Sequence, residues 1–157
     1  MIRTSEDSQS GFTIIETMIS IIILGGGLLA LALAFAQGLV TMSTSHSHQI
    51  AKEKAAEAIE SVTTSRDTRV ITWAQIRNVS RGGIFLDGAI QMRAPGTDGL
   101  VNTADDGALE PGLDDFTREI EIRDLAPNLR QIRVIVSYRI GHLQRQYQLI
   151  SYVSSFA

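Results

Sequence analysis

The stretch that decides the fold is residues 12–40, which read FTIIETMISIIILGGGLLALALAFAQGLV. Glu16 is the single charged residue among these 29. A helix needs about 20 mostly apolar residues to cross the hydrocarbon core of a bilayer. We therefore expect a membrane-spanning helix at residues 12–40. A buried helix in a soluble core is the weaker alternative, because such helices are usually shorter and amphipathic.

The surroundings of this stretch argue against an ordinary secretory signal peptide. Such a peptide has an apolar core of roughly 7–15 residues, followed closely by a cleavage site with small residues. Here the apolar run is longer, and an amphipathic pattern continues directly after it. We expect the segment to stay attached, as an anchor or as a packed stem.

Glu16 is the informative residue of the segment. A carboxylate inside an apolar membrane helix costs a few kcal/mol and usually has a partner. Residues 12–40 contain no Lys or Arg that could pair with it. Either the partner lies outside the segment, which makes Glu16 a functional residue, or Glu16 lies at headgroup depth near the start of the helix.

The residues around Glu16 form a specific motif. Residues 11–20 read GFTIIETMIS and precede a long run rich in Ile, Leu and Ala. This motif closely resembles the class III signal of type IV prepilins and type II secretion pseudopilins, which has the pattern G-F-T-L-x-E before an apolar stretch. The resemblance covers residues 10–39, about a fifth of the chain.

The resemblance implies how the N-terminus is processed and used. Residues 1–11 would be a leader peptide, and a membrane-embedded prepilin peptidase would cut between Gly11 and Phe12 and N-methylate Phe12. The new cationic amine would lie near Glu16 in a low-dielectric setting, where an unpaired carboxylate is costly. In the family, Glu16 would pair with the N-terminal amine of a neighbouring subunit as it joins the filament.

The sequence departs from the family pattern in two places. The leader contains Arg3 against Glu6 and Asp7, whereas family leaders are usually net basic. Family helices also commonly carry a proline, which would fall near Leu33 here, and none is present.

A run of three glycines, Gly25, Gly26 and Gly27, lies within the apolar segment. Three glycines cost a helix about 3 kcal/mol relative to alanine, so they predict a bend or a melting point. The alternative is close helix packing in the membrane, which small residues permit. Residues 23–31, ILGGGLLAL, are similar to the PilV type of minor pilin, and the absence of cysteine favours a minor pilin over a cystine-stapled major one.

The rest of the chain predicts an α+β fold. Residues 41–66 predict an amphipathic stem helix, with apolar side chains at helical spacing from Ile50 to Val62. In the head, residues 67–157, strand-like alternation marks 116–122, 129–140 and 146–153, with a hairpin turn at Gly141-His142 and a further candidate strand at 83–93. We expect the long helix to pack against a three- to four-stranded antiparallel sheet, which the pilin resemblance also implies.

Several polar and aromatic side chains have ordinary structural explanations. His46 and His48 are two residues apart and point to different helix faces, so we expect exposed residues and not metal ligands. Trp73 is expected to anchor the core. Acidic residues interleave with the strand arginines and few aromatics accompany them, so we expect a solvated sheet face and no binding of nucleic acid. These arginines are Arg118, Arg123, Arg130, Arg133, Arg139 and Arg145.

Residues 95–115 form an acidic, glycine-containing loop without a basic residue. Its side chains Asp98, Asn102, Asp105 and Asp106 offer hard oxygen ligands that suit Ca²⁺. Their spacing does not match an EF-hand. We expect a loop that is solvated or contacts another subunit, with a calcium site as the alternative.

No pattern of catalytic residues stands out. The chain has no cysteine, a formal net charge of −3, and neither a nucleotide-binding loop nor an H-E-x-x-H motif. We expect neither an enzyme nor a resident cofactor, apart from the calcium alternative.

The resemblance to prepilins implies that the protein is a minor pilin-like subunit of a type IV pilus. Its expected partners are prepilin peptidase, other pilin or pseudopilin subunits, an inner-membrane assembly platform and membrane lipid. It would start as a single-pass protein of the bacterial inner membrane, with its head in the periplasm, and then enter the filament. Two alternatives stay open: an I-type minor pseudopilin of a type II secretion system, and an unrelated single-pass anchored binding protein in which Glu16 is incidental.

Overall fold

A computed structural model describes residues 11–156, so residues 1–10 of the expected leader lie outside the described residues. The α+β class is confirmed. The elements are helix α1 (Ile14–Asp67), two single-turn 3-10 helices (Trp73–Gln75 and Val79–Arg81), and strands β1 (Ile90–Gln91), β2 (Phe116–Ala126), β3 (Leu129–Ile140) and β4 (Leu143–Ser154). The chain divides into two compact units, and the boundary lies between Ser43 and Thr44, close to the expected end of the apolar segment. We call residues 44–156 the head unit.

Helix α1 ends in a hydrogen-bonded turn that needs a left-handed residue. Arg69 takes this conformation, with a φ of 60°. The N–H of Val70 donates to the carbonyl of Ser65 at 2.9 Å, which is the long bond of a Schellman motif. The turn satisfies carbonyls that the helix end would otherwise leave without partners.

The four strands form one antiparallel sheet in the order β1-β2-β3-β4. Strand β3 has the predicted bounds, β2 and β4 are longer than predicted, and Gly141-His142 forms the turn between β3 and β4. The prediction of a strand at 83–93 is wrong for most of its length, because only Ile90–Gln91 pairs with β2. Gly88, with a φ of 78°, breaks the extended conformation just before β1.

The stem part of α1 and the inner face of the sheet share one hydrophobic core. Alternate residues of β2 and β3 supply the sheet side, which includes Ile120 and Val134. The helix side consists of small residues at helical spacing, which confirms the amphipathic stem. These residues are fully buried: Ala51, Ala55, Ala58 and Val62.

Strand β1 pairs with only two residues of β2. Side chains cover most of the remaining outer edge of β2. Asn78 Oδ1 accepts the N–H of Ile122 at 2.8 Å, and Asn78 Nδ2 donates to the carbonyl of Ile120 at 2.7 Å. Asn102 Nδ2 donates to the carbonyl of Arg118 at 3.1 Å. Two amide side chains thus form the bonds that a longer neighbouring strand would form.

The expectation of a solvated arginine face is wrong for Arg118 and Arg130, which are 0% and 1% exposed. Side chains two residues apart in a strand share a face, and these arginines share theirs with the buried Ile120 and Ile132. Arg118 Nε donates to Asn102 Oδ1 at 2.8 Å. Burial lowers the pKa of the Arg118 guanidinium, and three neighbouring carboxylates oppose that shift. The remaining arginines follow the expectation more closely: Arg123, Arg139 and Arg145 are exposed and Arg133 is half-buried.

The buried guanidinium of Arg130 has partners among charged, aromatic and backbone groups. The Cζ atom lies 4.0 Å from the ring centroid of Trp73, a cation–π arrangement. Nε donates to Asp124 Oδ1 at 2.6 Å and Nη1 to the carbonyl of Ile76 at 3.0 Å. The hydrogen bond from Arg130 lowers the pKa of Asp124. Trp73 packs against the core as expected, but it is half-buried and lies at the edge.

The middle of the acidic loop is buried, which corrects the expectation of a solvated loop. Leu100, Val101 and Asn102 have no exposed surface. Asn102 takes a left-handed conformation with a φ of 62°, and its carbonyl accepts the N–H of Leu86 at 2.7 Å. The acidic residues therefore lie on a segment that closes one side of the core.

We expect Asn78→Ala to lower the free energy of unfolding by about 2–4 kcal/mol, because it leaves a backbone N–H and a carbonyl on β2 without partners. Denaturant unfolding of the full chain in detergent measures this. Ser80→Ala is the control, because the exposed Ser80 bonds only to Asp87, and its change should stay within about 1 kcal/mol. Equal effects of the two substitutions would contradict the edge-covering role of Asn78.

Candidate functional site

The apolar part of α1 exposes its side chains in the single chain. Phe12, Leu24, Phe35 and Met42 are all more than half exposed, and none of the most apolar window is buried among the described residues. The helix is long and apolar enough to cross a membrane. It is therefore compatible with a membrane anchor.

The hydroxyl groups of this helix are satisfied within the helix itself. Thr17, Ser20 and Thr41 each donate to the carbonyl four residues earlier, at 3.0, 2.8 and 2.9 Å. Such bonds lower the cost of placing a hydroxyl in an apolar environment, where no water can replace them. These three hydroxyl groups thus do not prevent contact with lipid or with other apolar helices.

Glu16 lies in the first turn of α1. Thr13 precedes the helix, and its Oγ1 accepts the N–H of Glu16 at 3.3 Å. A carboxylate in this turn is also favoured by the partial positive charge of the helix N-terminus. This local role was not among the expectations above, although Thr-x-x-Glu at residues 13–16 is a signal for the start of a helix.

The carboxylate of Glu16 is available for a partner outside the chain. Its side chain is exposed, and within residues 11–156 no basic group forms an ion pair with it. Gly11 and Phe12 lie just before α1 in exposed, non-helical backbone. The expected cleavage bond is thus accessible, one helical turn from Glu16.

The helix continues through Gly25, Gly26 and Gly27, so it is not melted there in the single chain. A Cβ atom added at any of them would meet nothing within 4 Å. The chain's own contacts therefore do not require glycine at these positions. A bend in the assembled form and close packing by another helix both stay predictions.

The four proposed calcium ligands form hydrogen bonds within the head unit. Asp98 Oδ1 accepts the N–H of Leu100 at 2.9 Å, Asn102 bonds to Arg118, and the carboxylates of Asp105 and Asp106 accept N–H and O–H bonds inside the loop. In the described part of the chain, no three acidic or histidine side chains are placed to hold a metal ion. The carboxylates organise the loop backbone, and the calcium alternative stays a prediction.

His48 has a structural contact that the sequence did not indicate. Its Nδ1 lies 3.1 Å from the hydroxyl of Tyr138, and its ring meets that of Tyr147 edge-on, with centroids 5.4 Å apart. His48 therefore joins the start of the stem to β3 and β4, and both His46 and His48 are exposed, as expected.

Comparison with known proteins finds no relative. No protein-family model matches the chain, and no curated protein or solved structure matches it. Function is therefore assigned from the motif and the geometry described above.

We expect Asp105 to stabilise the loop without a metal. A hydrogen bond from the Thr103 hydroxyl lowers the pKa of Asp105, so its contribution is present above the unfolded pKa of about 3.9 and is lost as the pH falls through the lower folded pKa. Asp105→Ala should lower the Tm at pH 7, and this difference should fade in acid below that value. Thermal unfolding of the full chain measures both.

The matched control is Asp114→Ala, which removes an exposed carboxylate and should leave the Tm nearly unchanged. At calcium concentrations below roughly millimolar, added calcium should not shift the Tm of the unsubstituted chain. A calcium-dependent rise that Asp105→Ala abolishes would show a metal site after all.

Proposed function

We propose that this chain is a pilin-like filament subunit, of the minor pilin type of a type IV pilus. Its apolar helix would anchor it in the bacterial inner membrane, with the head in the periplasm, until it joins the filament. The observation that carries the proposal is the placement of the motif: the Gly11–Phe12 bond is exposed beside the first turn of an uncovered apolar helix, and that turn holds Glu16.

Processing follows from the position of the cleavage bond. A peptidase needs accessible, non-helical backbone, and Gly11 and Phe12 provide it. Cleavage would turn the backbone amide of Phe12 into an amine, which carries a positive charge at neutral pH. The same step removes the leader and creates the cation that the apolar segment lacks.

Pairing between subunits follows from this new charge. Each processed chain would carry one amine at Phe12 and one carboxylate at Glu16, four residues later. If the amine of one chain pairs with Glu16 of the next, each subunit forms two ion pairs, one through its amine and one through its carboxylate. A contact between two different patches of identical or similar chains continues without closing and builds a filament.

The apolar surface would be covered both before and after assembly. Each buried CH₂ group contributes about 0.8 kcal/mol when it leaves water, but lipid already covers the segment before assembly. The transfer from lipid to filament is therefore nearly neutral for these side chains. The pair between Phe12 and Glu16 then decides whether the transfer is favourable, because a lone carboxylate in an apolar setting is costly.

We expect the mature chain to begin with N-methylated Phe12. Co-expression with a prepilin peptidase should remove residues 1–11, and a catalytically inactive peptidase should leave them in place. Mass spectrometry and N-terminal sequencing of the purified chain measure the start and the methyl group. Retention of Met1 with an active peptidase, or cleavage after Ala34 or Ala36, would refute this processing.

We expect Glu16→Ala and Glu16→Gln to leave membrane insertion intact and to abolish incorporation into filaments, because both remove the charge that pairs with the amine. Membrane fractionation and the amount of chain in sheared filaments measure the two steps. Thr13→Ala is the control, since it removes the cap on the Glu16 N–H and keeps the carboxylate. Normal incorporation of Glu16→Gln together with loss in Thr13→Ala would assign Glu16 a capping role only.

A further inference from the structure

A groove lies on the exposed side of the stem, beside the acidic loop. Its lining comes from residues between Glu53 and Thr68, and from Val70, Asp98 and Gly99. Its volume is about 630 Å³. Concave sites of about 300–1,000 Å³ bury most of the surface of a small ligand, so the groove is large enough to hold several side chains of a partner.

The lining of this groove is negatively charged, and we call it the acidic groove. Its charged residues are Glu53, Glu57, Glu60 and Asp98, and no basic residue of the described chain lines it. Among residues 11–156, only Glu57 of these four forms an ion pair, with Lys54 at 2.8 Å. Glu53 and Glu57 lie four residues apart on the helix, a spacing at which like charges repel each other. The acidic groove therefore favours a positively charged occupant.

The acidic groove offers apolar surface as well as charge. Ala56 contributes an exposed methyl group from the stem, and Val70 exposes 55% of its surface just after the helix. An occupant of matching chemistry carries positive charges on both sides of an apolar side chain.

The chain itself contains a segment with this chemistry. The turn between β3 and β4 and its flanks, residues 139–145, read RIGHLQR, and we call this segment the basic hairpin. Arg139, His142 and Arg145 are exposed, and the segment contains no acidic residue. Leu143 exposes 63% of its surface at the same turn. The basic hairpin thus presents two permanent positive charges around an exposed apolar side chain.

The two arginines are available for a partner. Within residues 11–156, Arg145 forms no ion pair. Arg139 pairs with Asp115 at 3.9 Å, and the two side chains are 66% and 63% exposed. Ion pairs between such exposed groups contribute little to stability, so Arg139 can exchange this pair for one with another carboxylate at small cost.

The basic hairpin does not occupy the acidic groove of its own chain, because it is not part of the groove lining. His48 contacts Tyr138 and Tyr147, so the hairpin lies beside the start of the stem. The groove follows the chain from Glu53 to Thr68. Its midpoint lies roughly 20 Å beyond His48, at a rise of about 1.5 Å per residue. The hairpin that reaches this groove therefore belongs to a second copy.

We propose that the acidic groove of one copy of this chain binds the basic hairpin of a second copy. Leu143 of the second copy packs against Ala56 and Val70, and its Arg139 and Arg145 lie beside the carboxylates of the groove. Side chains that are exposed in the separate chains thereby gain neighbours of opposite charge. Such complementarity selects the partner and speeds its approach more than it strengthens binding.

This contact joins two different surfaces of identical chains. After two copies have joined, one groove and one hairpin are still free, so a third copy can add. Contacts of this kind continue in a row unless they close into a ring. A row of heads is the arrangement that a filament subunit needs, and this consequence alone rests on the proposed function.

The first experiment measures disulfide formation between two copies, which is specific because the chain has no cysteine of its own. A full-length chain with Leu143→Cys, the hairpin chain, is mixed in detergent with a size-tagged full-length chain with Ala56→Cys, the groove chain, and oxidised. The mixed dimer should form, because docking brings the two Cα atoms within the roughly 4.4–6.8 Å that a disulfide needs. Its yield should be lost as salt rises from about 0.1 M to about 1 M, which screens exposed charges. The matched control replaces Ala56→Cys by Gln148→Cys, which is exposed outside the groove.

Three results of this experiment would overturn the proposal. One is a mixed-dimer yield no higher than that of the control. Another is a preference of the hairpin chain for itself, which would show contact between two hairpins. The third arises when both chains are expressed in the same cells: cross-linking of the groove chain to a different protein, and not to the hairpin chain, would show another occupant. The unprocessed chain suffices for the test in detergent, so its failure is distinguishable from failure of the proposed function at Phe12 and Glu16.

The second experiment reverses the charges on each side. Arg139→Glu with Arg145→Glu in the hairpin chain, or Glu53→Lys with Glu60→Lys in the groove chain, should each abolish the mixed dimer, because like charges then face each other. The two reversed chains mixed together should regain it. All four positions are exposed, so the Tm of each variant should stay near that of the unsubstituted chain.

If a reversed chain does not fold, Arg139→Gln with Arg145→Gln removes the attraction with a smaller change and should also lower the yield. A full yield of mixed dimer in a folded variant reversed on one side overturns the proposal. Failure of the two folded reversed chains to regain the dimer together overturns it as well.

Discussion

The constraint on which the rest of the structure depends is the apolar surface of residues 12–42, which the described part of the chain leaves uncovered. Water cannot cover it without a large free-energy cost. Lipid or other apolar helices can cover it, and the helix suits both, because the hydroxyls of Thr17 and Ser20 bond to its own backbone. Under the proposed function, the charged first turn would determine how the helix passes from lipid into a filament.

The head unit is a small domain that completes its core without cysteine. Three structural features stabilise the core in place of a disulfide bond. Alanines of the stem supply one side of the core, the acidic loop inserts Leu100 and Val101 into it, and the amides of Asn78 and Asn102 replace strand contacts along β2. Each device uses buried hydrogen bonds or close packing, so the head tolerates few changes at these positions.

Periodicity predicted the parts of the fold that depend on apolar side chains. The stem face from Ala51 to Val62, the bounds of β3 and the turn at Gly141-His142 all follow from alternation and helical spacing. The failures concern polar residues in the core. Arg118 and Arg130 were predicted to be exposed because of their residue type. Their strand positions, two residues from Ile120 and Ile132, place them on the buried face of the sheet.

Tertiary contacts explain what the sequence could not show at the candidate site and in the loop. The spacing of Asp105 and Asp106 alone does not show that their carboxylates accept bonds from backbone amides of the loop. The motif from Gly11 to Glu16 could be recognised from the sequence because it depends on residue types at fixed spacing. Whether the carboxylate of Glu16 pairs with an amine depends on a second chain, which neither the sequence nor one folded subunit contains.

The contact between Trp73 and Arg130 makes tryptophan fluorescence a probe of whether the head is folded. Trp73 is the single tryptophan of the chain, and its ring lies against a buried guanidinium 4.0 Å away. Its fluorescence therefore comes from one place, the edge of the core where the 3-10 helix meets β3. Emission from this ring can follow folding of the head in detergent, vesicles or filaments without any label.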